Sequence, residues 1–172
     1  RYRTGSGLCA RSCQTFGRRM SGIRATTLSN GMRVVTDTVE TVQTASLGVW
    51  VGAGTRNEPR EINGVAHLLE HMAFKGTSRR SAVEIARELE DVGGQINAYT
   101  SRENTAYYAK VLHEDAPLAM DILADILQNS AFDPEELSRE RAVVLQEIGQ
   151  SYDTPDDIIF DHFQEMAFPD QP

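Results

Sequence analysis

Two short β-prone runs, Thr26 to Leu28 and Met32 to Asp37, flank Ser29-Asn30-Gly31, and an Asn-Gly pair between such runs predicts a hairpin. Thr44 to Ala53, rich in Val, Leu and Trp, reads as a third strand. The period then changes. Val65, Leu68, Leu69 and Met72, followed by Val83, Ile85, Ala86 and Leu89, recur at three and four, which predicts helices over 63–74 and 81–92. Gly93-Gly94 stops the second. Residues 95–100 and 105–112 are two more strands about the polar turn Ser101-Arg102-Glu103-Asn104. Helices follow over 116–128, 135–151 and 156–166, the middle one opened by Asp133-Pro134 as cap and first helical residue. Strands, helices, strands and helices in that order predict an α+β fold, with an antiparallel or mixed β-sheet covered by helices. Five strands are few for such a sheet, so the chain reads as incomplete at its C-terminus.

The 172 residues are 40% hydrophobic and 24% charged, the make-up of an ordinary globular domain. No apolar run approaches the ~20 residues of a membrane-spanning helix. The net charge of -8 is unevenly spread, because residues 1–19 carry five arginines and no acid. The remainder holds 12 bases against 25 acids, a net of -13. Such a surface repels phosphate backbones, which excludes nucleic acid, and favours basic peptides. Residues 1–24 are expected to be a disordered leader, either transit-like or upstream sequence, and residues 25–172 the globular domain. Cys9 and Cys13 both fall in the leader, without a histidine nearby to complete a zinc set. The chemistry of the domain therefore rests on other groups.

His67-Leu68-Leu69-Glu70-His71 lies in the first predicted helix. Its histidines are at i and i+4, one turn apart on one face, close enough for two imidazoles to converge on one ion. Glu70 shares that side, while Leu68, Leu69 and Met72 are expected to turn to the core. A zinc enzyme needs a third protein ligand and an open position for water. The helix over 135–151 offers Glu140 and Glu147, seven apart and so on one line; Glu147 stands beside Val143, Val144 and Ile148, an apolar border where a carboxylate is costly unless paired. Spacing alone does not choose between them.

The motif His67-Leu68-Leu69-Glu70-His71, its arrival after Gly-Ala-Gly-Thr-Arg-Asn-Glu (52–58) and Asn63-Gly64-Val65-Ala66, and Glu147 lying 76 residues beyond His71 resemble the pitrilysin, or inverzincin, zinc metallopeptidases. Gly94-Gln95-Ile96-Asn97-Ala98-Tyr99-Thr100 and Arg139-Glu140-Arg141 extend the resemblance, within that family, to its processing peptidases and their bacterial homologues. The resemblance implies an N-terminal pitrilysin-like domain with one zinc ion per chain on His67, His71 and Glu147, Glu70 as the general base, and Glu140 supporting the site from behind. It also implies that Asn97 and Ala98 lie on a strand edge that pairs with an extended substrate. The expected activity is hydrolysis of extended peptides or presequences through a zinc-activated water. A second half or a partner subunit, in a homodimer or heterodimer, is expected to complete the enzyme. The competing expectation is a non-catalytic core or scaffold subunit of the same fold. Bacterial cytoplasm and mitochondrial matrix both suit these features.

Overall fold

The computed structural model describes residues 22–169, so the leader expected over 1–24 lies almost wholly outside the described residues. The chain divides at Val42 into two compact units. The first holds an antiparallel hairpin of β1 (Arg24–Thr27) and β2 (Arg33–Thr36), with Thr27 opposite Arg33. Its loop is longer than a two-residue turn: the Leu28 N–H donates to the Met32 carbonyl at 2.8 Å. Asn30 Oδ1 accepts the Met32 N–H at 3.0 Å, and Gly31 takes the left-handed φ of 87° that the sequence reserves for glycine.

The second unit contains β3 (Thr44–Val51), α1 (Val65–Ala73), α2 (Ala82–Glu90), β4 (Gln95–Thr100), β5 (Thr105–Leu112), α3 (Ala116–Gln128), α4 (Pro134–Asp153) and α5 (Pro155–Ala167). Its sheet runs β3-β5-β4 and is antiparallel throughout. The fold is therefore α+β with two antiparallel sheets, and no parallel pairing occurs among the described residues. β5 is central because it carries the most buried residues. Tyr107, Ala109 and Val111 alternate inward, in register with Leu47 and Ala45 on one side and with Ala98 and Ile96 on the other. α1 and α2 pack along β4, and α3 packs along β5 and β3. Ile85 and Leu89 from α2 join Ala119, Ile122, Leu123 and Ile126 from α3 in the core over that face.

Capping chemistry accounts for the helix starts. Ser81 and Glu84 form a reciprocal capping box on α2, and Asp133 accepts the N–H groups of Glu135 and Glu136 at 2.8 and 3.1 Å on α4. Thr154-Pro155 separates α4 from α5. Not every apolar position in the helical pattern is inward. Leu69 is 45% exposed, so of the three residues expected to anchor α1 only Met72 is fully buried, with Leu68 partly so.

Candidate metal centre

α1 is entered through Gly64, whose φ of 95° turns the chain into the helix. Glu58 secures this start, as its two carboxylate oxygens accept the N–H groups of Gly64 and Ala66 at 2.7 and 2.6 Å. These are among the donors a helix start leaves unpaired, and a buried carboxylate there also meets the positive end of the helix. His67 and His71 are thus presented from a helix whose first turn is held in place. Their rings meet edge to face, with centroids 4.7 Å apart.

α4 packs against α1 and brings two glutamates to the histidine pair. Glu147 Oε2 lies 3.6 Å from His67 Nε2 and 3.5 Å from His71 Nε2, and the two Nε2 atoms are 3.2 Å apart. Four-coordinate zinc with bonds of ~2.0 to 2.1 Å holds its ligand atoms roughly 3.3 to 3.4 Å from one another. The three donors therefore fit a tetrahedral ion, with a fourth position left over. Among the described residues this is the one group of three His, Cys, Asp or Glu side chains whose ligand atoms gather within 4.8 Å.

Glu140 meets His71 from the other side. Its Oε2 accepts from His71 Nδ1 at 3.0 Å, which leaves the lone pair on Nε2, facing Glu147 and His67. Lys75 Nζ, one turn beyond His71, reaches Glu140 Oε1 at 2.6 Å. Burial by itself would raise the Glu140 pKa, but the hydrogen bonds from Lys75 and His71 outweigh it and hold the carboxyl below its ordinary value. Glu147 does not stand on the buried apolar border expected of it. Glu147 is 45% exposed, with Val143 and Ile148 also exposed, and Glu140 is the buried carboxylate.

Glu70 stands apart from the three-donor group, with its Oε2 taking a 2.5 Å hydrogen bond from Thr100 Oγ1 at the end of β4. Asn97 and Ala98 lie on β4, whose free side is an edge of the sheet among the described residues. Ala98 points inward, and its N–H is occupied by Asn97 Oδ1 at 2.8 Å. The structure thus brings His67, His71, Glu147 and Glu140 together, ties Glu70 to Thr100 instead, and keeps Asn97 and Ala98 on the same strand as Thr100. Sequence reasoning missed Glu58, Lys75 and Thr100. Lys75 was within reach, being four residues after His71, and so was Thr100, a polar residue in the inward row Ile96-Ala98-Thr100.

The family described as Insulinase (Peptidase family M16) matches residues 33–172. The chain belongs to the insulinase family of peptidases. It is 51% identical over 145 residues to a probable mitochondrial-processing peptidase subunit beta of Arabidopsis thaliana, covering 84% of this chain and 27% of that protein. It is 52% identical over 146 residues to an uncharacterized zinc protease of Bacillus subtilis, covering 85% of this chain and 36% of that one. A protease from Helicobacter pylori superimposes with a TM-score of 0.76 at 28% identity, over 80% of this chain and 34% of the other. This insulinase-family chain spans about a third of the length of the relatives it matches. The resemblance read from the motif, including its tie to processing peptidases and bacterial homologues, agrees with these matches.

Proposed function

We propose that the protein is a zinc-dependent endopeptidase that hydrolyses extended peptides or presequences. The convergence of the His67, His71 and Glu147 donor atoms at tetrahedral spacing, with Glu70 one residue away, carries this reading. His67, His71 and Glu147 would hold one zinc ion per chain, which when bound supplies Lewis-acid activation of water and of the scissile carbonyl. Glu70 accepts a proton from the attacking water and returns it to the leaving amine nitrogen. Glu140 fixes the His71 ring through Nδ1, and Lys75 keeps Glu140 charged.

The free edge of β4 would take the substrate backbone as an added strand, with Asn97 Oδ1 releasing the Ala98 N–H as it docks. The acid excess outside residues 1–19, 25 acids against 12 bases, would favour basic peptides. Residues 25–172 would act as the N-terminal zinc-peptidase domain of a longer enzyme, completed by a second half or a partner subunit. The relatives named as a beta subunit support such an assembly. The complete donor set with Glu70 beside it speaks against a non-catalytic scaffold subunit.

Stripping metal from the full-length protein with a chelator should abolish peptide hydrolysis, and one equivalent of zinc per chain should restore it. Hydrolysis that persists in the metal-free protein would refute the proposal.

A further inference from the structure

Thr100 is the last residue of β4, and its neighbours on the inward row are Ile96 and Ala98. A strand residue in that row has an ordinary use as packing, for which Val would serve as well as Thr. Its hydroxyl has a more specific partner. Oγ1 lies 2.5 Å from Glu70 Oε2 and 3.5 Å from the Ala66 carbonyl. A hydroxyl has one proton to give, and the short contact to a carboxylate takes it.

The donor is held from several directions. Thr100 pairs with Thr105 of β5, and Ser101 next to it closes the turn through its N–H to the Asn104 carbonyl at 2.8 Å. The Ser101 carbonyl in turn accepts the Thr55 N–H at 3.1 Å. β-branching limits Thr100 to few rotamers on this backbone. Glu70, by contrast, is a flexible side chain on the partly exposed face of α1. One fixed hydrogen bond removes most of its freedom and commits Oε2, leaving the other oxygen to accept a proton.

We propose that Thr100 is a positioning residue for Glu70, holding the base in its working orientation from the same strand whose free edge would seat the substrate. The general base and the peptide backbone then share one frame of reference, β4, so that a docked scissile bond is in register with the proton acceptor. The inference rests on the reading of Glu70 as general base.

The test compares wild type, Thr100→Val and Thr100→Ser in the full-length, zinc-loaded protein. Thr100→Val keeps the branched shape and removes only the hydroxyl. It should lower kcat roughly 10- to 100-fold, the worth of one hydrogen bond to a charged group, with KM within about twofold. Zinc content and melting temperature should stay at the wild-type values. Thr100→Ser, which restores the hydroxyl, should recover most of kcat. Wild-type kcat in Thr100→Val would overturn the proposal, and so would a loss of zinc or of melting temperature in that variant that Thr100→Ser shares. Failure of the underlying reading is distinguishable, because Glu70→Gln would then be as active as wild type whatever Thr100 does.

Discussion

Glu140 and Glu147 lie two turns apart on α4, and what separates them is the nitrogen of His71 each one meets. Glu147 faces Nε2 and also reaches His67, whereas Glu140 faces Nδ1 and is itself held by Lys75. Spacing on a helix could not distinguish these situations, because both residues occupy one line. Nor does the apolar flank of Glu147 mark it, since Val143 and Ile148 are exposed. The histidine pair was legible because an i, i+4 spacing fixes a shared face whatever the tertiary partner. The two glutamates should respond differently to the same substitution. Glu147→Gln should abolish tight zinc binding, whereas Glu140→Gln should weaken it by about 10- to 100-fold, since the amide still orients the ring but without charge. Competition with a chromophoric chelator measures both, and equal losses would contradict the division of roles.

At the scale of elements, the end of α1 is tied to α2 and α3 by charge. Arg80, in the segment between α1 and α2, reaches Glu88 at 3.0 Å, Asp121 at 2.7 Å and Asp125 at 3.0 Å. The Asp125 side chain is fully buried and is also held by Thr77 and Asn129. Burial would raise its pKa, but these hydrogen bonds, from Asn129, Thr77 and Arg80, prevail and lower it. Hydrogen bonds from Arg79 and then Arg80 lower Asp121 to about 2. Both carboxylates are more acidic folded than unfolded, so their contribution is present above the ordinary carboxylate range and is lost as pH falls through the folded values. Asp125→Ala leaves Arg80 with Glu88 and Asp121 but strips Thr77 and Asn129 of their acceptor, and should cost about 1 to 3 kcal/mol. Thermal melting should show that loss near neutral pH and show it shrinking as pH falls below the ordinary carboxylate range, as wild type loses the same interactions. A pH-independent difference would contradict the assignment. Helix boundaries were legible from caps and stop signals: Asp133-Pro134 and Gly93-Gly94 set them within two residues or so of those observed, whereas the Ser81 cap was found only in the structure. Strand partnership was not. Alternation reports which face a strand buries, not which strand it joins, so the separation of the β1-β2 hairpin from the three-stranded sheet had no local signal.

At the scale of the whole molecule, residues 33–172 match the insulinase family, and the chain spans about a third of its relatives' length. The described part holds three side chains whose donor atoms could gather on one metal ion, a glutamate hydrogen-bonded to the end of β4, a buried carboxylate behind one histidine and a sheet edge, and no helix in it is long and apolar enough to cross a membrane. In the proposed enzyme the labour divides within one helix turn: His67 and His71 would bind the metal while Glu70 would move the proton. The most direct measurement is zinc content and peptide hydrolysis, side by side, in full-length Glu70→Gln and His71→Ala. Glu70→Gln should retain about one zinc per chain and lose turnover by roughly 10² to 10⁴ or more, because the amide keeps the shape and cannot accept a proton. His71→Ala should lose both metal and turnover. Near-stoichiometric zinc in His71→Ala, or turnover at the wild-type rate in Glu70→Gln, would contradict the account.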